Sequence, residues 1–513
     1  MVSYAELHAH SAFSFLHGAN LPEVMVERAA QLGLDAIGIL DYDGMFSAVQ
    51  TSVAARENRI ASVQGTEIRI AGGYHLPILA NNVQGYHELC DALSAFQLSK
   101  TGRTDTVLTL DELAKFSSEN WTILTGTARG PIRQALNSRG IDEAVKLAGK
   151  LRDLFGNVVI ESALSTPDEE EREAHYLARI AERMGLRLVA TTGARVADVS
   201  SLKLAHVLRS IRLGAALEQA QPYLEAFPPV LRSASDMLRI HRHHPQAVEN
   251  AAELAQELAF DLRLVAPHLP RANVRDGFDD DSWLRHLTYE GAKQRYGSRA
   301  RNPQAWQKID SELLLITKLG FSGYFLIVKE IVDFCEAENI LCQGRGSAAN
   351  SAVCFALGIT AVDAVKHKML FERFLSEGRS GPPDIDIDIE AGRREVVIQH
   401  IYERYGRRYA AQVANVISYK PRSALRDAAK AFGYPGEVAT VWAKNLEGVK
   451  PDPKVVGIAT QMSKLPRHMG IHPGGMVLTR EPVSRICPVA WANKEGRTVL
   501  QWDKDDCGEA GLV

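Results

Sequence analysis

The 513-residue sequence predicts an α/β multidomain protein, and three observations carry that expectation. Short β-like runs alternate with amphipathic stretches through the first two hundred residues. A stretch with little periodicity at 265–281, holding two prolines and four aspartates, then marks a domain boundary, and long helical patterns follow it. Finally, Asp384-Ile385-Asp386-Ile387-Asp388, directly after Pro382-Pro383, alternates charge and apolar bulk at the two-residue period of an extended strand.

A length of 513 residues allows roughly two to four domains. Hydrophobic content of 46% with 24% charged residues is the balance of a soluble globular chain rather than of a disordered or membrane-embedded one. No apolar run approaches bilayer length, and the start of the chain lacks a basic flank and apolar core, so neither export nor membrane insertion is suggested and a cytoplasmic protein is expected. The six cysteines are scattered without a Cys-x-x-Cys pair and read as free thiols in a reducing compartment. Net charge is only −3, yet residues 390–430 hold nine Lys/Arg against four Asp/Glu. A basic segment placed directly after an acidic strand suits a polyanionic substrate, although a solvated basic helix has the same composition.

In chain order, the β-like runs are 36–40, 78–80, 121–124, 158–160 and 188–190, with amphipathic stretches at 22–32 and 169–184. This alternation predicts parallel strands joined by helices, an arrangement compatible with a barrel. Residues 245–260 read as one helix opened by Arg242-His243-His244, and helical patterns return at 306–318 and 324–339.

Four places can carry chemistry. His8-Ala9-His10, after the apolar Leu7, points two imidazoles to one side of a strand end, a common metal-ligand arrangement. Asp41, Glu67 and His75 each sit at the edge of a predicted strand and could complete that cluster, although each alone is more often structural. Next, Ile340-Leu341-Cys342-Gln343-Gly344-Arg345-Gly346-Ser347 gives a short strand and a Gly-Arg-Gly-Ser turn ahead of an apolar helix at 352–357. Glycines let the backbone approach an anion, the helix start offers unpaired N–H groups to a phosphate, and Arg345 and Ser347 add a charge and a hydroxyl. Ser347 precedes Asp384 by 37 residues, an order suited to a nucleotide site.

The third place is the acidic strand itself. Its period puts Asp384, Asp386 and Asp388 on one face and Ile385, Ile387 and Ile389 on the other. Such a row calls for cationic compensation. A pair of divalent ions about 3.5–4 Å apart, the geometry of in-line phosphoryl transfer, supplies it; a solvated edge strand is the structural alternative. Arg373 within Leu370-Phe371-Glu372-Arg373-Phe374-Leu375 suits a phosphate tail or a salt bridge to a carboxylate such as Glu372. The fourth is basic: Lys420, Arg422 and Arg426 gather at a helix start at Pro421, and Arg467-His468-Met469-Gly470-Ile471-His472-Pro473-Gly474-Gly475-Met476 reads as a turn leading into an apolar strand.

In this order the blocks resemble bacterial family C DNA polymerases, the α-subunit type of DNA polymerase III, over essentially the whole chain. Leu7-His8-Ala9-His10-Ser11 through Asp41-Tyr42-Asp43-Gly44 is similar to the polymerase-and-histidinol-phosphatase (PHP) domain, and the 343–351 turn with Pro383-Asp384-Ile385-Asp386-Ile387-Asp388 to the palm motifs. Phe13-Ser14-Phe15-Leu16-His17-Gly18-Ala19, the 466–476 phrase and Leu500-Gln501-Trp502-Asp503-Lys504-Asp505-Asp506 resemble the error-prone branch. The resemblance implies a PHP-type β/α barrel over 1–264 with a helical extension from about 205, and a nucleotidyltransferase-like palm beginning over 265–415. A helical thumb over 416–490 and the start of a returning palm segment over 491–513 would follow. It implies an error-prone DNA-directed DNA polymerase adding dNTPs to a primer 3′-hydroxyl in repair-associated translesion synthesis. Primer–template DNA would be the partner, with a sliding clamp and translesion accessory proteins meeting regions outside this chain. Carried over, Asp384 and Asp386 would be catalytic and hold two magnesium ions, with Asp388 supporting them. Arg345, Gly346, Ser347 and Arg373 would contact the nucleotide phosphates, and Lys420, Arg422 and Arg426 the DNA or nucleotide.

Two departures from the family pattern matter. Asp41-Tyr42 stands where an active PHP domain has Asp-His, Gly193-Ala194-Arg195 where the last Asp-x-His would fall, and Thr127 at a position often held by cysteine. A degraded PHP metal site, a scaffold rather than a proofreading nuclease, is therefore expected around His8, His10, Asp41, Glu67 and His75. In addition, Gly508-Glu509-Ala510-Gly511-Leu512-Val513 runs, in the family, straight into a strand with the third catalytic aspartate, so a truncated polymerase impaired on its own is expected. The rivals are a metal-dependent phosphoesterase built on those five PHP residues and an inactive DNA-binding remnant.

Overall fold

The computed structural model describes residues 3–99, 107–117, 119–164, 173–224, 229–265, 270–376, 383, 385–444 and 450–512. The chain forms two compact units, one of residues 1–266, 412–475 and 484–510, the other of residues 267–411, 476–483 and 511–513. Among the described residues, no single helix is long and apolar enough to cross a membrane.

In the first unit β1 (Ala5–Ala9), β2 (Ala36–Ile39) and β3 (Ala61–Val63) form a parallel sheet. A second sheet takes β4 (Gly65–Ile70), β5 (Tyr74–Ala80), β6 (Trp121–Leu124), β7 (Asn157–Ala163) and β8 (Leu188–Thr191) in sequence order. Every residue of β1, β2 and β6 is buried, the pattern of strands covered on both faces. The second sheet is mixed: β6, β7 and β8 run parallel, whereas β4–β5 and β5–β6 are antiparallel. The cause is local. Gly72 and Gly73 adopt φ of 90° and 78°, and only residues 71–73 separate β4 from β5, a hairpin that no parallel crossover could replace. Past β8 the chain returns to the first strand, where Ala194 accepts from the His10 amide at 2.7 Å and Thr192 donates its amide to the buried Glu6 carboxylate at 2.9 Å. That closure brings the C-terminal ends of β1 and β8 together, where the candidate residues of this unit gather.

The later segments of this unit join the barrel through a second core, in which Leu204, Val207 and Leu208 pack with Ala424, Ala428, Ile458 and Met462. Polar ties fix the register: Gln501 Oε1 accepts from the Met45 amide at 2.7 Å, and the Trp502 indole donates to the Met45 carbonyl at 3.0 Å.

The second unit packs helices Asp280–Tyr296, Pro303–Lys318, Ser322–Ala337 and Ala352–Ala356 around Phe325, Val353, Phe374 and Leu375. Two of these helices have recognisable starts: Asp279 caps the first, accepting from the Ser282 amide, and Asn302 followed by Pro303 opens the second. Against this core lie β9 (Cys342–Arg345) and β10 (Asp386–Ile389), antiparallel, with Asp386 opposite Arg345 and Asp388 opposite Gln343. The chain then passes through β11 (Ala410–Ser418) and β12 (Pro466–Leu478). The 466–476 phrase, expected as a turn, is extended throughout. Within it the His472 imidazole Nδ1 accepts the amides of Gly474 (3.3 Å) and Gly475 (2.6 Å).

Candidate functional site

On β10, Asp386 and Asp388 are exposed while Ile387 and Ile389 are half-buried. Ile385 and Ile387 pack on the helical core, and Ile389 packs on Val397, Ile398 and Cys335. The apolar row therefore holds the strand down and aims the carboxylates outward. Asp384 lies outside the described residues. β9 brings its turn over this acidic face. Gly346 adopts φ of 62°, and a Cβ there would stand 3.7 Å from Asp386 Oδ2, so the backbone comes close to the carboxylate. Arg345 Nε lies 2.9 Å from Asp388 Oδ1, with both side chains more than 60% exposed. Such a pair contributes under about 1 kcal/mol and serves to orient its members rather than to hold the fold. Ser347 is half-buried, and the turn Phe371–Arg373, with Arg373 exposed, packs against the turn Gly346–Asn350.

One expectation for this turn fails. The helix Ala352–Ala356 does not offer free N–H groups to a phosphate, because Glu312 already takes them. Its carboxylate accepts from the Ala352 and Val353 amides at 3.0 Å each and from the Ser351 hydroxyl at 2.8 Å, while Ser351 Oγ accepts from the Cys354 amide. The helix start being taken, the phosphate contacts expected here are left to Gly346 and Ser347 with the Arg345 and Arg373 side chains. Burial pushes the Glu312 carboxyl up to about 7 despite these three donors. Sequence offered no sign of Glu312, a glutamate in the middle of an amphipathic helix some 40 residues away.

Lys420, Arg422 and Arg426 belong to the first unit, at the start of helix Pro421–Ala431. Lys420 and Arg422 are exposed, and Arg426 pairs with Asp427 at 3.4 Å.

In the barrel, His8, His10 and Glu67 offer ligand atoms that all lie within 4.8 Å of one another, and all three are buried. His10 Nε2 stands 2.9 Å and His8 Nε2 3.3 Å from Glu67 Oε2. His75 Nδ1 lies 3.6 Å from the other Glu67 oxygen, beside the trio. Asp41, expected as a fourth ligand, is turned into the scaffold instead. Its oxygens accept from the Ser11 amide (2.9 Å), Ser11 Oγ (2.7 Å), Ser14 Oγ (2.6 Å) and Ser47 Oγ, which fills a carboxylate's usual capacity of about four. Glu161, which follows the buried 158–160 run, holds His8 Nδ1 at 2.7 Å and is the residue the sequence reading missed.

The electrostatics follow from this packing. Burial works against a charge on His8, but the Glu161 and Glu67 carboxylates overcome it and hold the imidazole well above its usual range. Burial likewise works against the Glu67 anion, and the His8 charge with hydrogen bonds from His10, His75 and His8 holds it well below. Burial lowers His10, with Glu67 opposing and the charges of His8 and Arg195 adding. The Tyr42 ring stacks on His10 at 4.5 Å and touches His17 (4.6 Å) and His75 (5.1 Å), filling space where a further ligand would stand. Two imidazoles and one carboxylate fit a single borderline ion such as zinc. A Tyr42→His variant, adding an imidazole at this place, is expected to raise zinc affinity on the order of 10-fold in equilibrium dialysis. Unchanged affinity would mean that residue 42 does not face the ion.

Two family models match stretches of this chain. A family model for the PHP domain matches residues 6–163, and one for the bacterial DNA polymerase III alpha NTPase domain matches 282–453 and 447–513. Proteins called error-prone DNA polymerase from Mycolicibacterium paratuberculosis and Nocardia farcinica are 47% and 43% identical, each over 100% of this chain. The chain covers 49% and 50% of those two proteins, so it spans about half the length of the curated relatives it matches.

Proposed function

We propose that this chain, which belongs to the bacterial DNA polymerase III alpha family, works as part of an error-prone DNA-directed DNA polymerase that adds dNTPs to a primer 3′-hydroxyl during repair-associated translesion synthesis. The observation that carries this is the antiparallel register that sets Asp386 and Asp388 beside the Gly346 turn, within the segment matched to the polymerase model. Carboxylate oxygens suit magnesium: Asp386 with Asp384 would hold it, Asp388 supporting, and a metal held there would supply activation of the primer 3′-hydroxyl and compensation of triphosphate charge. The chain's own groups do the rest. Arg345 fixes Asp388, and Gly346 lets a phosphate reach the backbone without a side chain in the way. Ser347 adds a hydroxyl, and Arg373 brings a cation from the adjoining turn. Lys420, Arg422 and Arg426 supply charge for primer–template DNA. The PHP part serves as a scaffold, with one candidate metal position, His8, His10 and Glu67, among the described residues. The cytoplasm suits the six free cysteines, five of them buried.

The rival phosphoesterase draws support from the His8–His10–Glu67 trio, but Asp41 is committed to serine hydroxyls. The test is primer extension with magnesium by this chain and by a polypeptide continued to the relatives' length. Salt-sensitive primer–template binding by the 513-residue chain, with efficient extension only by the longer one, is the expected result. A longer polypeptide that binds but incorporates nothing on any template would overturn the polymerase assignment.

A further inference from the structure

At the end of helix Ser322–Ala337 the chain doubles back and sets two thiols side by side. Asn339 adopts φ of 54°, a left-handed conformation that asparagine tolerates, and the Ile340 amide then donates to the Cys335 carbonyl at 2.7 Å. β9 starts two residues later, at Cys342. Cys342 stands opposite Ile389 of β10, and both pack on the small core of Cys335, Val397, Ile398 and Tyr402. There the Cys335 S–H donates a hydrogen bond to Cys342 Sγ.

The two thiols differ in access. Of the six cysteines five are buried, and Cys342 alone is half-buried. A reagent from solution therefore meets Cys342 first, with the fully buried Cys335 in contact with it. Burial raises both thiols, Cys335 to about 12. At Cys342 the hydrogen bond from Cys335 opposes this rise, whereas Glu336 and Asp333 add to it. The hydrogen bond thus favours a thiolate on Cys342 over one on Cys335. Cys90, Cys487 and Cys507 also influence one another, but all three are buried, and that group has no exposed member for a reagent to reach.

We propose that Cys342 and Cys335 are a modification site, a dithiol that hydrogen peroxide converts into an intramolecular disulfide. The Cys342 thiolate attacks one peroxide oxygen, the O–O bond breaks, and hydroxide leaves to give a sulfenic acid. The Cys335 sulfur then attacks Cys342 Sγ, the S–O bond breaks, and the departing oxygen takes the Cys335 proton and leaves as water. Overall the two thiols lose two electrons and two protons, and one hydrogen peroxide becomes two waters. A disulfide holds its sulfurs only about 2 Å apart, so the bond pins the root of the strand that carries the Gly346 turn to the helix behind it. This goes beyond the polymerase assignment and does not depend on it.

The experiment treats the folded 513-residue chain with hydrogen peroxide, removes the excess with catalase, alkylates free thiols under denaturing conditions and maps tryptic peptides without reduction. Both cysteines fall on the one tryptic peptide 330–345, between Lys329 and Arg345. The expected result is that this peptide loses two hydrogens and escapes alkylation, that alkylated cysteines fall from six to four, and that dithiothreitol reverses both changes. In Cys335→Ala a sulfenic acid at Cys342 should accumulate and be trapped by dimedone, and in Cys342→Ser the Cys335 thiol should stay alkylatable. Circular dichroism checks that each variant is folded. Full alkylation of peptide 330–345 after peroxide, a Cys342 sulfinic acid beside an alkylated Cys335, or a disulfide joining two chains through Cys342 would each overturn the assignment.

Discussion

Replacing Asp386 by alanine, in a polypeptide continued to the relatives' length, is expected to lower magnesium-dependent primer extension on the order of 10³-fold or more. A metal held at a reacting phosphoryl group is worth several kcal/mol of transition-state stabilisation, and each 1.36 kcal/mol is tenfold in rate, so about 4 kcal/mol gives this factor. Folding should be untouched. Asp386 is exposed, and the strand is held by Ile387 and Ile389 on its other face, so a surface change of roughly ±0.5 kcal/mol is expected. Asp388→Ala should cost less, because Asp388 is engaged by Arg345 at 2.9 Å and supports rather than holds the reacting groups. Rapid-quench extension alongside primer–template binding separates the cases: Asp386→Ala should lose rate and keep affinity. Retention of the parent rate would remove Asp386 from the chemistry and with it the metal assignment on β10.

The part of this site that could be read in the sequence is the part governed by local periodicity. The two-residue repeat of Asp386-Ile387-Asp388-Ile389 sets which side chains face out whatever the strand packs against, and β2, β6 and β8 were legible as short, continuously apolar runs. What the sequence hid depends on partners far along the chain. Asp41 sits at a strand end as a ligand would, but Ser11, Ser14 and Ser47 reach it only in the closed barrel. Glu161 is one acidic residue after an apolar run, and nothing local couples it to His8, 153 positions earlier. The hairpin of β4 and β5 was readable in Gly72-Gly73, yet the alternation of strands and helices around it favoured a parallel sheet. The helix start after the Gly-Arg-Gly-Ser turn looked open because an N-terminus has orphan donors by rule, and only the fold shows that Glu312 satisfies them.

Glu312→Ala is accordingly expected to destabilise the second unit by about 3–5 kcal/mol, since it strands two buried amides and a hydroxyl, each costing roughly 1–3 kcal/mol with partial relief from relaxation. The wild-type group also makes stability depend on pH, and the direction is unusual for a carboxylate. With the folded carboxyl near 7 and the unfolded one near its ordinary value of about 4.3, the native state binds more protons between these limits. Stability is then fully present below the unfolded value and declines as pH rises through 7, by about 4 kcal/mol in all. Glu312→Gln removes this titration while keeping the side chain's shape. Urea melts of both proteins between pH 5 and pH 8 should therefore show the wild type losing about 2–3 kcal/mol relative to the variant as pH rises. The protection of the Ala352 and Val353 amides, measured relative to their base-catalysed intrinsic exchange, should fall over the same interval in the wild type only, as ionisation of the buried carboxyl destabilises this part of the fold. A constant difference between the two proteins across this range would mean that the three donors keep Glu312 ionised at a normal pKa. Its link to the Gly346 turn would then be a fixed strut with no protonic component.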